Sequence, residues 1–327
     1  MAGILRRAAA ALAAAVMLSG CSGTQELRSV SLFAMDTYMT VTASGGDAEK
    51  ALSAAKTEAE RLDALWSTTS PDSEISRING SGGAPVTVSA ETAELIAFAA
   101  DMGRKTSGAL DITLYALQRE WGFTTGEYKI PSDERIAALL ADTGCGRLTV
   151  DGNTVTVPAG MSIDLGSVGK GAAGDRLISV LKEQGVTSAL LDLGGNIQTL
   201  GRKPDGSLWR IGIKDPEGEG ILGSIEVSDC AVVTSGCYER YFTEGGKRYH
   251  HILDPATGRP AESGLLSATA IGSSGRLCDA VSTAAFVLGA DKALELAEQL
   301  GDIELILVTE SRELVMTEGI KGKFSKS

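Results

Sequence analysis

His250 and His251 are the only imidazoles in the 327-residue chain, and they are adjacent. Imidazole is the side chain whose unperturbed pKa lies nearest neutrality, so any histidine-borne proton transfer must happen at this one place. The pair opens the run His-His-Ile-Leu-Asp-Pro-Ala-Thr-Gly, residues 250–258. Taken alone, two histidines closing an edge strand need only backbone partners, so both readings stand. A second run, Met161 to Asp175, passes through Gly166, Gly169 and Gly171 into a helical pattern, with Lys170 among the glycines. Glycines let backbone N–H groups approach an anion, and a helix N-terminus adds partial positive charge. The spacing is neither the Walker loop nor the dinucleotide fingerprint, which leaves phosphate binding and plain turn-making both open. Third, Asp279 and Thr283 are four apart at the start of a helical run, so a carboxylate and a hydroxyl share one face. Hard oxygens of this kind suit Mg²⁺, which takes few protein ligands and completes its shell with phosphate and water. A carboxylate near a helix N-terminus and a Thr bonded back to a carbonyl would look the same.

The elements that must carry these groups are legible in outline. Val30 to Thr42 reads as a strand, and Asp47 to Trp66 spaces Leu52, Ala55, Ala59, Leu62 and Leu65 as an amphipathic helix. Ser89 caps a second helix ending near Ser107-Gly108, a third spans Ile112 to Trp121, and Ser132 opens a fourth that stops near Gly144. Leu148 to Val157 is a hairpin about Asp151-Gly152-Asn153. The second half turns to short strands at 189–193, 209–213, 224–228, 232–235, 248–253 and 266–271, with helices at 170–182, 278–288 and 292–300 and a last strand at 304–309. Helices early and strands late, without βαβ alternation, predict an α+β fold.

The chain begins with basic Arg6 and Arg7, an apolar run from Ala8 to Leu18, and Leu18-Ser19-Gly20-Cys21. The run is too short for the roughly 30 Å of a bilayer core. It predicts a signal peptide over residues 1–20. A polar tether at 21–28 then leads into one domain over 29–327. Leu-Ser-Gly-Cys resembles the bacterial lipobox, which implies that Cys21 is lipidated and becomes the first residue of an exported, membrane-anchored protein. Loss of Arg6 and Arg7 takes the net charge from −12 to −14 (−12 − 2). An acidic surface repels phosphate backbones, so no nucleic-acid partner is expected. Cys145, Cys230, Cys237 and Cys278 match no zinc spacing and are expected to be structural or free.

Order and company raise these separate signals to a family pattern. Phe33-Ala34-Met35-Asp36-Thr37, Pro71 to Ser76, Gly108 to Thr113 and Asp164 to Asp175 stand in the first half. Leu193-Gly194-Gly195-Asn196, Thr234-Ser235-Gly236, His251 to Gly258, and Asp279 to Thr283 with Leu288-Gly289 follow in the second. In these segments, over nearly all of its mature length, the chain resembles the ApbE family of FAD:protein FMN transferases. The resemblance implies an ApbE-like (T-fold-like) α+β architecture, its helix-rich first half and strand-rich second half packed as one compact unit about a FAD cleft. It also implies a Mg²⁺-dependent enzyme that moves the FMN half of FAD onto a Thr or Ser of an acceptor protein and releases AMP. The acceptor would be an exported or membrane-bound flavoprotein subunit with a Ser/Thr flavinylation motif. The family's metal ligands fall on Ser167 (through its carbonyl), Asp279 and Thr283. Its FAD contacts fall on Met35, on Ala109, Leu110 and Asp111, and on Asp164, Lys170 and Leu253.

For catalysis the residues suggest His251 as base or orienter of the acceptor hydroxyl, a role Asp254 could share. Lys170 and the metal would neutralise the pyrophosphate. One position departs from the family: Thr69 stands just before Pro71-Asp72-Ser73, where an aromatic ring usually stacks on FAD. Its loss leaves room for hydrolysis of FAD to FMN and AMP. A flavin-binding lipoprotein without chemistry is the remaining alternative.

Overall fold

The computed structural model describes residues 26–327, so the expected signal peptide, Cys21 and the expected tether up to residue 25 lie outside the described residues. Arg28, expected at the end of the tether, is already the first residue of a strand, with its Nη1 2.8 Å from Glu49.

Eight strands form one antiparallel sheet whose spatial order is the chain order. They are β1 Arg28–Ala34, β2 Thr37–Ser44, β3 Ser188–Asp192, β4 Asn196–Leu200, β5 Ala231–Gly236, β6 Leu265–Gly272, β7 Ile303–Thr309 and β8 Leu314–Met316. Helices enter as insertions between them. α1 Ala48–Trp66, α2 Glu74–Asn79, α3 Ala90–Lys105, α4 Tyr115–Glu120, α5 Asp133–Leu140 and α6 Gly169–Glu183 all lie between β2 and β3, and α7 Gly275–Leu288 and α8 Ala290–Leu300 between β6 and β7. The α+β expectation holds.

Period-two alternation assigns the faces of the sheet. Leu32, Ala34, Met39, Val41, Ala189 and Leu191 turn to one side and meet Leu52, Ala55 and Ala59 of α1 and Leu177 and Leu181 of α6. Farther along the same side, Val233, Ala268, Ala270, Leu305 and Leu307 meet α7 and α8 in a cluster that extends to Leu62, Ile96 and Ile112. On the opposite side Val232, Ile271 and Ile306 are covered by a three-stranded sheet of Trp209–Lys214, Ile221–Val227 and Phe324–Lys326. The expected hairpin at 148–157 is found as strands Thr149–Asp151 and Thr154–Thr156, joined by Val86–Thr87.

Three differences from the sequence reading bear on the site. The single strand expected over Val30 to Thr42 is a hairpin that turns at Met35 and Asp36, both left-handed with φ 50° and 57°. The helix expected from Ile112 starts at Tyr115, because Asp111 Oδ1 accepts from both Thr113 N and Thr113 Oγ1 and folds that segment into a turn. The helix expected from Cys278 starts at Gly275, because Ser274 caps it and the Asp175 carboxylate accepts from Gly275 N and Arg276 N.

Candidate active site

A cleft of about 460 Å³ opens where the β1–β2 turn, the start of α6, the middle of α7 and the loop after residue 250 meet. Met35, Ala109, Leu110, Asp111, Asp164, Ser167, Lys170, His251, Leu253, Asp279 and Thr283 all line it. Residues from both halves of the chain therefore share one cleft.

Helices α6 and α7 build its floor. Val168 precedes α6 and offers no side-chain cap. The Asp279 carboxylate supplies one from α7, its Oδ2 accepting from Gly171 N at 2.8 Å. That bond requires very close helix approach, and Gly171 permits it: a Cβ there would lie 2.2 Å from the Gly275 carbonyl oxygen. Asp279 is 4% exposed and makes no ion pair among the described residues. Burial raises its pKa above the usual aspartate value, against the lowering influence of Lys170, the Gly171 N–H and the Asn196 side-chain amide. One helical turn on, Thr283 Oγ1 lies 3.2 Å from Ser235 Oγ, a hydroxyl the sequence reading did not single out. Ser167 stands immediately before α6, and Lys170 Nζ reaches back to the Gly166 carbonyl at 3.4 Å. Asp164, whose Oδ1 accepts from Gly166 N at 2.7 Å, is also pushed up by desolvation, partly offset by that bond, Arg240 and Lys170.

An ion would find the buried Asp279 carboxylate, near Lys170 but in no ion pair among the described residues, and the Thr283 hydroxyl one turn on, with Ser167 lining the same cleft. Among the described residues no three His, Cys, Asp or Glu side chains cluster. The donor set fits Mg²⁺ better than a softer ion.

The two histidines part company. His250 is buried at the end of the strand Lys247–His250, Nε2 against the Ala261 carbonyl at 3.1 Å, and burial pushes its pKa down to about 4. His251 reaches the cleft. Its Nδ1 faces the Arg240 carbonyl at 3.3 Å, a contact that calls for a proton on Nδ1 and leaves the Nε2 lone pair free. Desolvation first, then Arg240, His250 and Lys170, push its pKa down to about 3. Two of those causes are cations that an incoming polyanion would neutralise.

Asp254 is not brought into the cleft. Its carboxylate accepts from Ala256 N and Thr257 Oγ1 and its carbonyl from Gly258 N, so it holds the turn at 254–258. The Pro71-to-Ser76 segment is likewise architectural: Ser73 caps α2, and Glu74 accepts from Ser89 N and Oγ, each at 2.7 Å. Thr69 does line the cleft. Nearby Trp66 is locked by its Nε1 bond to Thr92 Oγ1, and Tyr115 by its hydroxyl on the Thr68 carbonyl. Lining residues absent from the sequence reading include Tyr115 and Arg240, and Asp36 lines it from within a segment that carried the resemblance. Asn196 and Ser235 also line it, inside segments that carried the resemblance. Cys145, Cys230, Cys237 and Cys278 are free thiols.

A model described as the ApbE family matches residues 35–307. A FAD:protein FMN transferase of Klebsiella pneumoniae is 35% identical over 272 residues, 81% of this chain and 84% of that protein. The Escherichia coli protein of the same name is 32% identical over 314 residues, 89% of each. Among solved structures, the ApbE protein of Thermotoga maritima has a TM-score of 0.86 at 33% identity, covering 91% of this chain and 99% of that one. The apo flavinyl transferase ApbE of Pseudomonas stutzeri scores 0.82 at 33% identity, with 93% and 98% covered.

Proposed function

The chain belongs to the ApbE family, and from that premise we propose that it transfers the FMN half of FAD to a Ser or Thr hydroxyl of an acceptor protein, with Mg²⁺ and with release of AMP. The observation that carries this reading is the pairing of α6 and α7. It sets a cation (Lys170), a helix N-terminus and a buried carboxylate that makes no ion pair among the described residues (Asp279) within one cleft. Dinucleotide phosphates need the first two, and a divalent ion needs the third.

Ser167, Asp279 and Thr283 would hold the ion, which when bound lowers the charge on the pyrophosphate and favours attack at phosphorus. The chain's own groups supply the rest. Lys170 adds a full charge beside the phosphates. Met35 and residues 109–111 form the walls that receive the rings, and the left-handed β1–β2 turn is kept in place by Met35 N donating to Asp63 Oδ1 at 2.9 Å. His251, with Nε2 bare, accepts the proton of the acceptor hydroxyl as its oxygen bonds to the flavin-side phosphorus and the bond to the AMP phosphate breaks. A base at pKa about 3 would be weak. Phosphate neutralisation of Lys170 and Arg240 removes two of the smaller causes that depress it, while desolvation, the largest, remains; general-base help is typically worth about 10²–10⁴-fold.

Hydrolysis of FAD by water is the second reading, favoured by exposed Thr69 at the cleft wall. Incubation with FAD and Mg²⁺, with and without an acceptor domain, separates the outcomes. AMP only with acceptor supports transfer, AMP without it supports hydrolysis, and no AMP in either overturns the enzymatic reading. We further propose that the protein acts outside the cytoplasmic membrane, tethered by lipid on Cys21, which rests on the lipobox-like run alone.

A further inference from the structure

Tyr241–Glu244 and Lys247–His250 form a two-stranded ribbon that no third strand joins among the described residues. Gly245 and Gly246, at φ 59° and 79°, close it with a two-residue turn whose twist suits the strands. The register pairs Phe242 with Tyr249 and Glu244 with Lys247, and His251 N donates to the Arg240 carbonyl at 3.0 Å. Opposed residues of an antiparallel pair alternate between bonded and non-bonded. Since Arg240 and His251 are bonded, Phe242–Tyr249 and Glu244–Lys247 are the next bonded pairs. Tyr241 and Thr243 therefore turn their N–H and C=O groups outward. Both residues are exposed, and neither finds a backbone partner beyond the ribbon among the described residues. The strand carries neither a proline nor a bulge, so its edge is a template for another strand. The opposite edge offers less, because His250 is buried.

The free edge runs straight into the cleft. Arg240, the residue before Tyr241, lines it, and its carbonyl holds the His251 ring at 3.3 Å. Neighbouring strands lie about 4.8 Å apart, so a strand laid on this edge passes Arg240 at that spacing and carries its next residues into the cleft beside His251. Charge narrows the occupant further. Arg240 and Arg248 make no ion pair among the described residues, and Arg248 lies over the Tyr241 ring, 4.5 Å from its centroid. Two such guanidiniums at the edge, on a chain of net charge −12, suit a segment that bears a carboxylate. We propose that the acceptor protein docks by strand addition: an extended, carboxylate-bearing segment pairs with the backbone of Tyr241 and Thr243, then enters the cleft past Arg240 and sets its Ser or Thr hydroxyl at His251. In this mode main-chain bonds supply affinity, and alternate side chains supply specificity. The inference rests on the transferase reading of the cleft.

The test is steady-state AMP release with an acceptor domain carrying a Ser/Thr flavinylation motif, alongside titration with FAD, for the parent, Thr243→Ala, Thr243→Pro and Arg248→Glu. Alanine keeps the outward N–H. Proline removes it at an edge position where the ribbon loses no bond of its own. The acceptor KM of Thr243→Pro should exceed that of Thr243→Ala about tenfold or more, with the two proteins equal in FAD affinity. Arg248→Glu should raise the acceptor KM about fivefold over the parent at low salt, and less at high salt. Equal KM for the two Thr243 variants overturns the inference. Should proline weaken FAD binding as well, the ribbon itself is disturbed and Arg248→Glu decides: a parental KM there overturns the inference. A parent that releases no acceptor-dependent AMP overturns the transferase reading instead.

Discussion

Gly171→Ala sets helix propensity against helix packing, and the two predict opposite signs. Inside a helix alanine is favoured over glycine by about 1 kcal/mol, so propensity alone predicts stabilisation. At Gly171 the new Cβ would lie 2.2 Å from Gly275 O, 2.5 Å from its carbonyl carbon and 2.8 Å from Arg276 Cα, all backbone of α7. Reaching an ordinary 3.4 Å contact requires the helices to part by 1.2 Å (3.4 − 2.2). Overpacking of that kind costs about 1–3 kcal/mol, which leaves a net loss of about 1 kcal/mol. The same gap is spanned by the 2.8 Å bond from Gly171 N to Asp279 Oδ2, and a 1.2 Å opening breaks it. Asp279 then leaves its place beside Lys170, and a misplacement of about 1 Å near the chemistry can cost about 10²-fold. Thermal melting and kcat/KM for AMP release should show a slightly less stable protein with activity down at least tenfold. A Gly171→Ala protein that is more stable by about 1 kcal/mol and transfers at the parental rate would refute the argument.

Asp279→Asn keeps the size but removes the charged ligand, so turnover at limiting Mg²⁺ should collapse by about 10²-fold or more while FAD binding weakens less; unchanged activity removes Asp279 from the ion site. Burial raises the Asp279 pKa in the folded state, so its stability contribution is present below the unfolded value and lost as pH rises through the folded one. Unliganded Asp279→Asn should accordingly melt at or above the parent at pH 7 and lose that advantage by about pH 4; the reverse order contradicts the burial argument. Thr69→Tyr should tighten FAD by about 1 kcal/mol, about fivefold in Kd, and lower acceptor-independent AMP release. Equal or weaker binding in titration would mean the wall is already complete. Cys21→Ala should leave the membrane fraction or stall in processing, and a variant that still pellets with membranes after normal trimming sinks the anchor.

Fold class and most elements were legible because apolar spacing and caps are local: Leu52, Ala55, Ala59 and Leu62 do face the sheet, and Ser89 does cap its helix. The β1–β2 turn was not, because Met35-Asp36 lacks the Asn or Gly that a two-residue hairpin with both φ positive prefers. Its strained conformation persists through the long-range bond to Asp63, and strain of this kind gathers at functional sites. Strand β4 was missed because Asn196, Gln198 and Thr199 are buried polar residues that break the apolar alternation. The start of α7 depends on Asp175, about a hundred residues earlier in the chain. Within the site, the residues that the glycines and the resemblance marked do line one cleft. Arg240, whose carbonyl orients His251, and Tyr115, tied to Thr68, carried no local signal.

The central claim is covalent transfer, and the mass of an acceptor domain measures it most directly. After incubation with FAD, Mg²⁺ and the parent protein, the acceptor should gain the mass of FAD less AMP (FMN less one water) at a Ser or Thr, with one AMP released per FMN attached and no gain when Asp279→Asn replaces the parent. FAD consumed to free FMN and AMP while the acceptor keeps its original mass would contradict the account.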